Sequence, residues 1–379
     1  MKTMTIPPAP LPRVEDLLQA RAALPFTGLT WFAWRADSAI RFYRRGGLAL
    51  AAGVAALCRQ QRATKITVWV PDYFCGETLV PLRGLSVCVQ FYPCQPDLTP
   101  DWVFLERGVA ETSGKQVLML VHYFGFANAT EEAVDFCRRQ GLTLLEDAAH
   151  VLRPAPGLGL GELLVFSPRK LLAIPAGGVL VLPQILAKCL PDMPQGSWRE
   201  DLALWLLKRL SQKALLSLGV SWSWWWRRLP DCEPVSLGPF PPPVLEACDQ
   251  YTLGLIALAE PHLAEIATRR RSTYKRLADC LKEFSGVRPL FPQLPKETCP
   301  YVFPLIINQG SDKVMTRLRS RGILADLWPT LPPEVQAAPA DHRNALEIRS
   351  RLLLLPVHQS LTAPQVDWLE CELRQALAH

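Results

Sequence analysis

Short runs that are apolar almost throughout recur along the first half of the chain, at 65–71, 87–92, 117–122, 142–146, 163–166 and 178–182. Continuous runs of that length predict strands covered on both faces. Between them, residues 48–62, a stretch ending over 80–85, and 130–140 read as helices. An earlier short helix is expected at 13–24, inside a proline-rich arm over residues 1 to 30. Strands alternating with helices at this spacing predict an α/β architecture, a mostly parallel sheet sandwiched by helices. In such sheets ligands collect beyond the carboxyl ends of the strands, and Asp147 and His122 both fall there.

Residues 190–243 break the rhythm. A leucine-rich helix with Lys208, Arg209 and Lys213 is expected at 202–218, followed by Trp222-Ser223-Trp224-Trp225-Trp226-Arg227-Arg228. Pro239, Pro241, Pro242 and Pro243 then mark a linker. A long helix at 244–284, strands at 301–307 and 352–356, and helices at 312–321 and 363–378 predict a smaller α+β C-terminal domain. A chain of 379 residues exceeds the size that one core usually serves. The expected division is a large domain over 1–245, with the insert at about 190–243, and a small one over 246–379.

Hydrophobic residues make up 49% and charged residues 20%, the balance of a globular protein. The net charge of +6 is scattered and no nucleic-acid-binding signature is present, so no nucleic acid partner is expected. The 11 cysteines form no Cys-x-x-Cys pair and no His-Glu-x-x-His occurs, so no metal site is expected and the thiols are read as free, in a cytoplasmic protein. The first residues carry prolines and acids in place of an apolar core, which argues against a secretory signal.

Candidate chemistry concentrates at two places. Lys170 lies in Phe166-Ser167-Pro168-Arg169-Lys170, shortly before Gly177-Gly178, and Asp147 lies in Glu146-Asp147-Ala148-Ala149-His150 at a strand end. A lysine able to form a Schiff base, downstream of such an aspartate, is the minimum equipment for pyridoxal 5'-phosphate. The amine bonds the aldehyde and the carboxylate keeps the pyridine nitrogen protonated. Ala149 is small enough to lie flat beneath the ring, and His150 can donate to its phenolic oxygen. Ser167 offers a hydroxyl to the phosphate, and Gly46-Gly47 before a helix is either a phosphate cradle or a plain turn. Taken singly, the Glu-Asp pair also reads as a polar turn, and a lone lysine as a solvated charge.

Together, Val121-His122-Tyr123-Phe124-Gly125, Glu146 to His150 and Phe166 to Lys170 with Gly177-Gly178 resemble successive signature blocks of the DegT/DnrJ/StrS aminotransferases. Gly46-Gly47-Leu48-Ala49-Leu50, Pro71-Asp72-Tyr73-Phe74-Cys75, Arg270 to Tyr274 and Leu355-Pro356-Val357-His358 extend the likeness. The resemblance implies a fold-type I homodimer using pyridoxal phosphate to move an amino group from glutamate or glutamine to a carbonyl acceptor, such as a keto-sugar. It assigns the ring that stacks on the cofactor to Tyr73 or Phe74, because Cys75 stands where the aromatic often falls. Val165 stands in place of the family's phosphate-binding serine, Ala176 in place of an acid, and the Gly-x-Asn-x-Arg block is not recognisable. Rival readings are another pyridoxal-phosphate reaction, such as lyase or acyl transfer, and a non-catalytic binding subunit.

Two uses remain open for 202–228: packing in a dimer interface or lid, or lying in a membrane surface as a peripheral contact. Arg153, Arg349 and Arg351 are candidates for gripping a donor carboxylate.

Overall fold

The computed structural model describes residues 4–20, 37–61, 66–191, 193, 199–217, 239–328 and 330–378. The tryptophan tract at 222–226 lies outside them. The large sheet has seven strands: β1 (Ser38–Tyr43), β2 (Ile66–Pro71), β3 (Val87–Tyr92), β4 (Lys115–Val121), β5 (Thr143–Ala148), β6 (Leu163–Phe166) and β7 (Gly178–Pro183), in the order β1-β7-β6-β5-β4-β2-β3. Pairing is parallel from β3 through β6, while β7 runs antiparallel to both β6 and β1. The mostly parallel α/β prediction holds. Leu163 and Val165 face one buried cluster and Leu164 and Phe166 the other, which is why β6 is apolar at every position.

The helices of this half are α1 (Val14–Gln19), α2 (Gly46–Gln61), α3 (Gly76–Arg83), α4 (Trp102–Glu111), α5 (Thr130–Gln140), α6 (Gln184–Ala187) and α7 (Arg199–Ser217). Three elements of this half that the sequence reading did not contain are α6, β1 and α4. The last of these starts at Asp101, whose side chain accepts from the Phe104 amide at 3.0 Å and caps the helix.

Beyond the linker the expected single helix at 244–284 is two, α8 (Gln250–Ala259) and α9 (Leu263–Cys280). Pro261 sits in the intervening turn, where its ring and missing N–H interrupt the helical ladder. A second sheet, β8 (Val287–Pro289), β9 (Phe303–Ile307) and β10 (Leu352–Leu355), is antiparallel in the order β10-β9-β8. The helices α10 (Ser311–Ser320), α11 (Pro333–Ala337), α12 (Arg343–Arg351) and α13 (Ala363–Leu377) accompany it. The N-terminal arm joins this region: Ile6 bridges Ile323, and the carbonyl of Pro7 accepts from buried His358 at 2.8 Å.

The antiparallel pair at one side of the sheet explains where the site forms. Because β1 and β6 both run opposite to β7, they end at the same edge as β4 and β5. Arg44 to Gly47 follow β1 there, Ser167 to Lys170 follow β6, and Gly177-Gly178 enter β7 between them. Gly178 lies so close to the Arg45 carbonyl that a Cβ would overlap it. Gly178→Ala is therefore expected to displace this turn and cost about 1–3 kcal/mol. Urea unfolding should show the lowered midpoint, with the cofactor-loaded protein losing more than the bare one; an unchanged midpoint would contradict the close packing.

Candidate active site

A cavity of about 450 Å³ opens at this strand edge. Gly46 and Gly47 line it from the start of α2, Asp147 and Ala149 from the end of β5, and Ser167 and Lys170 from the loop after β6. His150 and Phe74 complete the set of sequence-expected residues that meet there. Tyr73 does not line the cavity: its hydroxyl donates to the Trp328 carbonyl at 2.5 Å, and its ring packs edge-on to Tyr123 and Trp328. Of the two aromatics expected to offer a stacking ring, the structure brings only Phe74 to the cavity.

Alternation along β5 separates two acids. Glu146 turns to one face, bonding His122 Nε2 at 2.9 Å and accepting from the Gly159 and Gly161 amides. That pairing occupies His122, which is buried against Glu146 and is not part of the cavity wall, contrary to its expected place beside Asp147. Asp147 faces the cavity, and its Oδ1 accepts from the Ala149 amide at 2.8 Å. Burial pushes its carboxyl pKa up, opposed by the charge of Lys170 and by that amide.

Lys170 is the converse case. Burial lowers its amine to about 8, while Asp147 pulls it upward and Arg169 pushes it down. Its Nζ lies 2.8 Å from His150 Nε2 and 5.6 Å from the centre of the Trp328 ring. The Phe124 amide donates to His150 Nδ1 at 3.1 Å, so the neutral imidazole carries its proton on Nε2. Burial and the charge of Lys170 hold the His150 pKa well below its ordinary value. His150 Nε2–H therefore points at the Lys170 amine and donates to it once that amine has lost its proton.

Stacking fixes this imidazole. Phe124 lies at 5.6 Å and 8° on one side and Tyr301 at 4.8 Å and 14° on the other. Phe124 has φ +56°, a left-handed conformation that costs about 1–3 kcal/mol in a side-chain-bearing residue. Two bonds hold it there: its amide to His150 and its carbonyl accepting from Tyr301 N at 2.8 Å. Fully buried Arg270 braces the other side, donating to the carbonyls of Leu171 and Tyr301, each at 2.8 Å.

Several lining groups were absent from the sequence reading: Arg44, Arg45, Arg169 and Trp328. The arginines were visible as neighbours of Gly46 and Lys170, but Trp328 had no local signal. Arg153, Arg349 and Arg351 do not line the cavity; Arg153 pairs with Glu297 and Arg351 with Glu347. Val165 packs in the core, while Ser167 faces Gly46 across a gap that a Cβ on Gly46 would narrow to 3.3 Å.

These features fit pyridoxal phosphate. A desolvated amine and a buried carboxylate line one cavity, and the side-chain-free start of α2 with Ser167 leaves room for a phosphate at a helix N-terminus. The amine's depressed pKa gives a measurable consequence. Uptake of pyridoxal phosphate by cofactor-free protein needs the neutral amine, so its rate should rise with pH, reach half its maximum near pH 8 and level off about one unit higher. Stopped-flow absorbance would record the profile. A rate still climbing towards pH 10 would mean that the amine is an ordinary solvated lysine.

Known proteins bear on the same residues. The sequence profile of the DegT/DnrJ/EryC1/StrS aminotransferase family matches residues 87–188. A dTDP-4-dehydro-2,3,6-trideoxy-D-glucose 4-aminotransferase from Saccharopolyspora spinosa is 25% identical over 280 residues, covering 71% of this chain and 68% of that one. A DegT DnrJ EryC1 StrS aminotransferase from Brucella abortus superposes with a TM-score of 0.68 at 16% identity, over 96% of each chain. NtdA from Bacillus subtilis, with bound pyridoxamine phosphate, superposes with a TM-score of 0.72 at 15% identity, over 100% of this chain and 86% of that one.

Proposed function

We propose that the chain is a pyridoxal-phosphate-dependent transaminase of the DegT/DnrJ/EryC1/StrS family, and that it aminates a keto-sugar with nitrogen from glutamate or glutamine. The observation that carries the reading is the single cavity holding a depressed amine, Lys170, and a buried carboxylate, Asp147.

When bound, the cofactor supplies an electron sink for breaking a bond at the amino-bearing carbon. In this reading Lys170 would hold the aldehyde, and its amine, once released, would move the proton at the substrate's amino-bearing carbon. Asp147 holds the pyridine nitrogen's proton through a charge-assisted hydrogen bond. His150, with its proton on Nε2 beside the Lys170 amine, would donate to the phenolic oxygen. Ala149 and Phe74, both lining the cavity, would contact the ring, the first leaving room for it and the second offering an aromatic face. Gly46, Gly47 and Ser167 receive the phosphate. Trp328 and Tyr301 exclude water around the amine.

Assembly as a homodimer belongs to the same proposal, and light scattering on a sizing column tests it. The reaction is tested with glutamate or glutamine labelled with heavy nitrogen and a panel of keto-sugars carried on nucleotides and on prenyl diphosphates. Label appearing in an amino-sugar product is the expected outcome. Loss of the cofactor's visible band with a donor, but no label in any product, would sink the keto-sugar assignment. No response to any donor would sink the transamination assignment. Among the described residues no helix is long and apolar enough to cross a membrane.

A further inference from the structure

A second cavity, of about 300 Å³, adjoins the first and shares Arg44, Arg45 and Arg169 with it. Arg44 is paired with Asp201 and Glu246. Arg45 and Arg169 have no carboxylate partner within ion-pair distance among the described residues, and the charge of Arg45 acts on Arg169. Asp201 lines the same cavity but is engaged by Arg44, so the two guanidiniums of Arg45 and Arg169, which no carboxylate among the described residues pairs, favour a bound anion.

The opposite wall is α7, through Leu204, Trp205 and Lys208. An ordinary surface helix turns its whole apolar stripe inward, whereas this one half-buries Leu202, Trp205 and Leu206, turns polar side chains inward beside them and leaves other leucines outside. Gln212 is buried and accepts from Arg209, and Lys213 reaches inward to the Pro12 carbonyl. Leu204, Leu207 and Leu210, at successive turns, instead face outward, the first two about two-thirds exposed. Ala203 and Ala214 extend the same exposed face. The stripe therefore begins in the wall of a cationic cavity and runs away from it along the helix.

We propose that this outer cavity and the leucine stripe bind the carrier end of the acceptor, and that the carrier is a phosphorylated amphiphile. Its phosphate or diphosphate sits on Arg45 and Arg169, and its hydrocarbon chain lies along Leu204, Leu207 and Leu210. The assignment rests on keto-sugar transamination at Lys170, to which it adds the class of the acceptor. The leucines offer a hydrocarbon chain apolar contact and offer a nucleobase no hydrogen bond.

The test is calorimetric titration of the holoenzyme with farnesyl diphosphate, thymidine diphosphate and inorganic pyrophosphate. Farnesyl diphosphate should bind at least about tenfold more tightly than either competitor, a difference of about 1.4 kcal/mol. The double variant Leu204→Ser, Leu207→Ser should lose that preference, and circular dichroism would confirm its fold. Thymidine diphosphate binding as tightly as farnesyl diphosphate overturns the proposal, as does a preference that survives the double variant. A double variant that changes the oligomeric state would also overturn it and assign the stripe to contact between copies. Loss of the cofactor band with glutamate, followed on unmutated holoenzyme, separates the two claims. If that reaction occurs and farnesyl diphosphate is not preferred, only the carrier assignment falls; if it fails with every donor, the transaminase reading falls on its own.

Discussion

Lys170→Ala is expected to lower turnover by about 10²–10⁴-fold, the range that a positioned acid–base group contributes. The amine is the group that His150 addresses at 2.8 Å, and burial sets its pKa at about 8, close to working pH. A general base is most effective there, because a useful fraction is unprotonated while its basicity remains high. Turnover with the donor found to discharge the cofactor band provides the measurement. Small added amines should restore part of the rate, because they replace the lost base without rebuilding the side chain. A variant within tenfold of the parent would mean that another group moves the proton.

Asp147→Asn removes a charge while keeping an oxygen for the Ala149 amide. Stripping one partner from a buried charge pair costs about 3–5 kcal/mol, so pyridoxal phosphate affinity and turnover should fall together by about 10²–10³-fold. A second readout follows from the same carboxylate. Its charge pulls the Lys170 pKa upward, so removing it lowers that pKa, and the cofactor-uptake profile, with its midpoint near pH 8 and its plateau above, moves to lower pH. A plateau that stays in place while affinity falls would show that Asp147 acts on the cofactor but not on the amine. Turnover within threefold of the parent would remove Asp147 from the mechanism.

The parts of this architecture that the sequence displayed are those whose signal is local. Strands buried on both faces, such as β2 and β6, are continuous apolar runs, and no other element of that length gives the same pattern beside glycines and prolines. β1 escaped because Arg41 and Ser38 interrupt a strand with alternating burial at the sheet's edge. The helix at 244–284 was read as continuous because apolar periodicity persists through Pro261, where the backbone cannot. In the site, Lys170 and Asp147 were legible from their distance apart and their neighbours. Arg45 and Arg169 were not, since an arginine beside a glycine turn resembles any solvated charge. Trp328 comes from the far part of the chain, and no local pattern announces a contact made across the fold.

The N-terminal arm has a consequence for how the molecule is made. Leu11 donates its amide to the Ser360 hydroxyl, 349 positions further on, and the Thr5 and Pro7 carbonyls are met by Gln365 and His358. On the ribosome the arm emerges long before any of these partners exists, so it must stay unclaimed while the rest is translated. Its docking is then among the last events of folding, and proteolysis of nascent chains should cut within residues 4–11 until the final helix has left the exit tunnel.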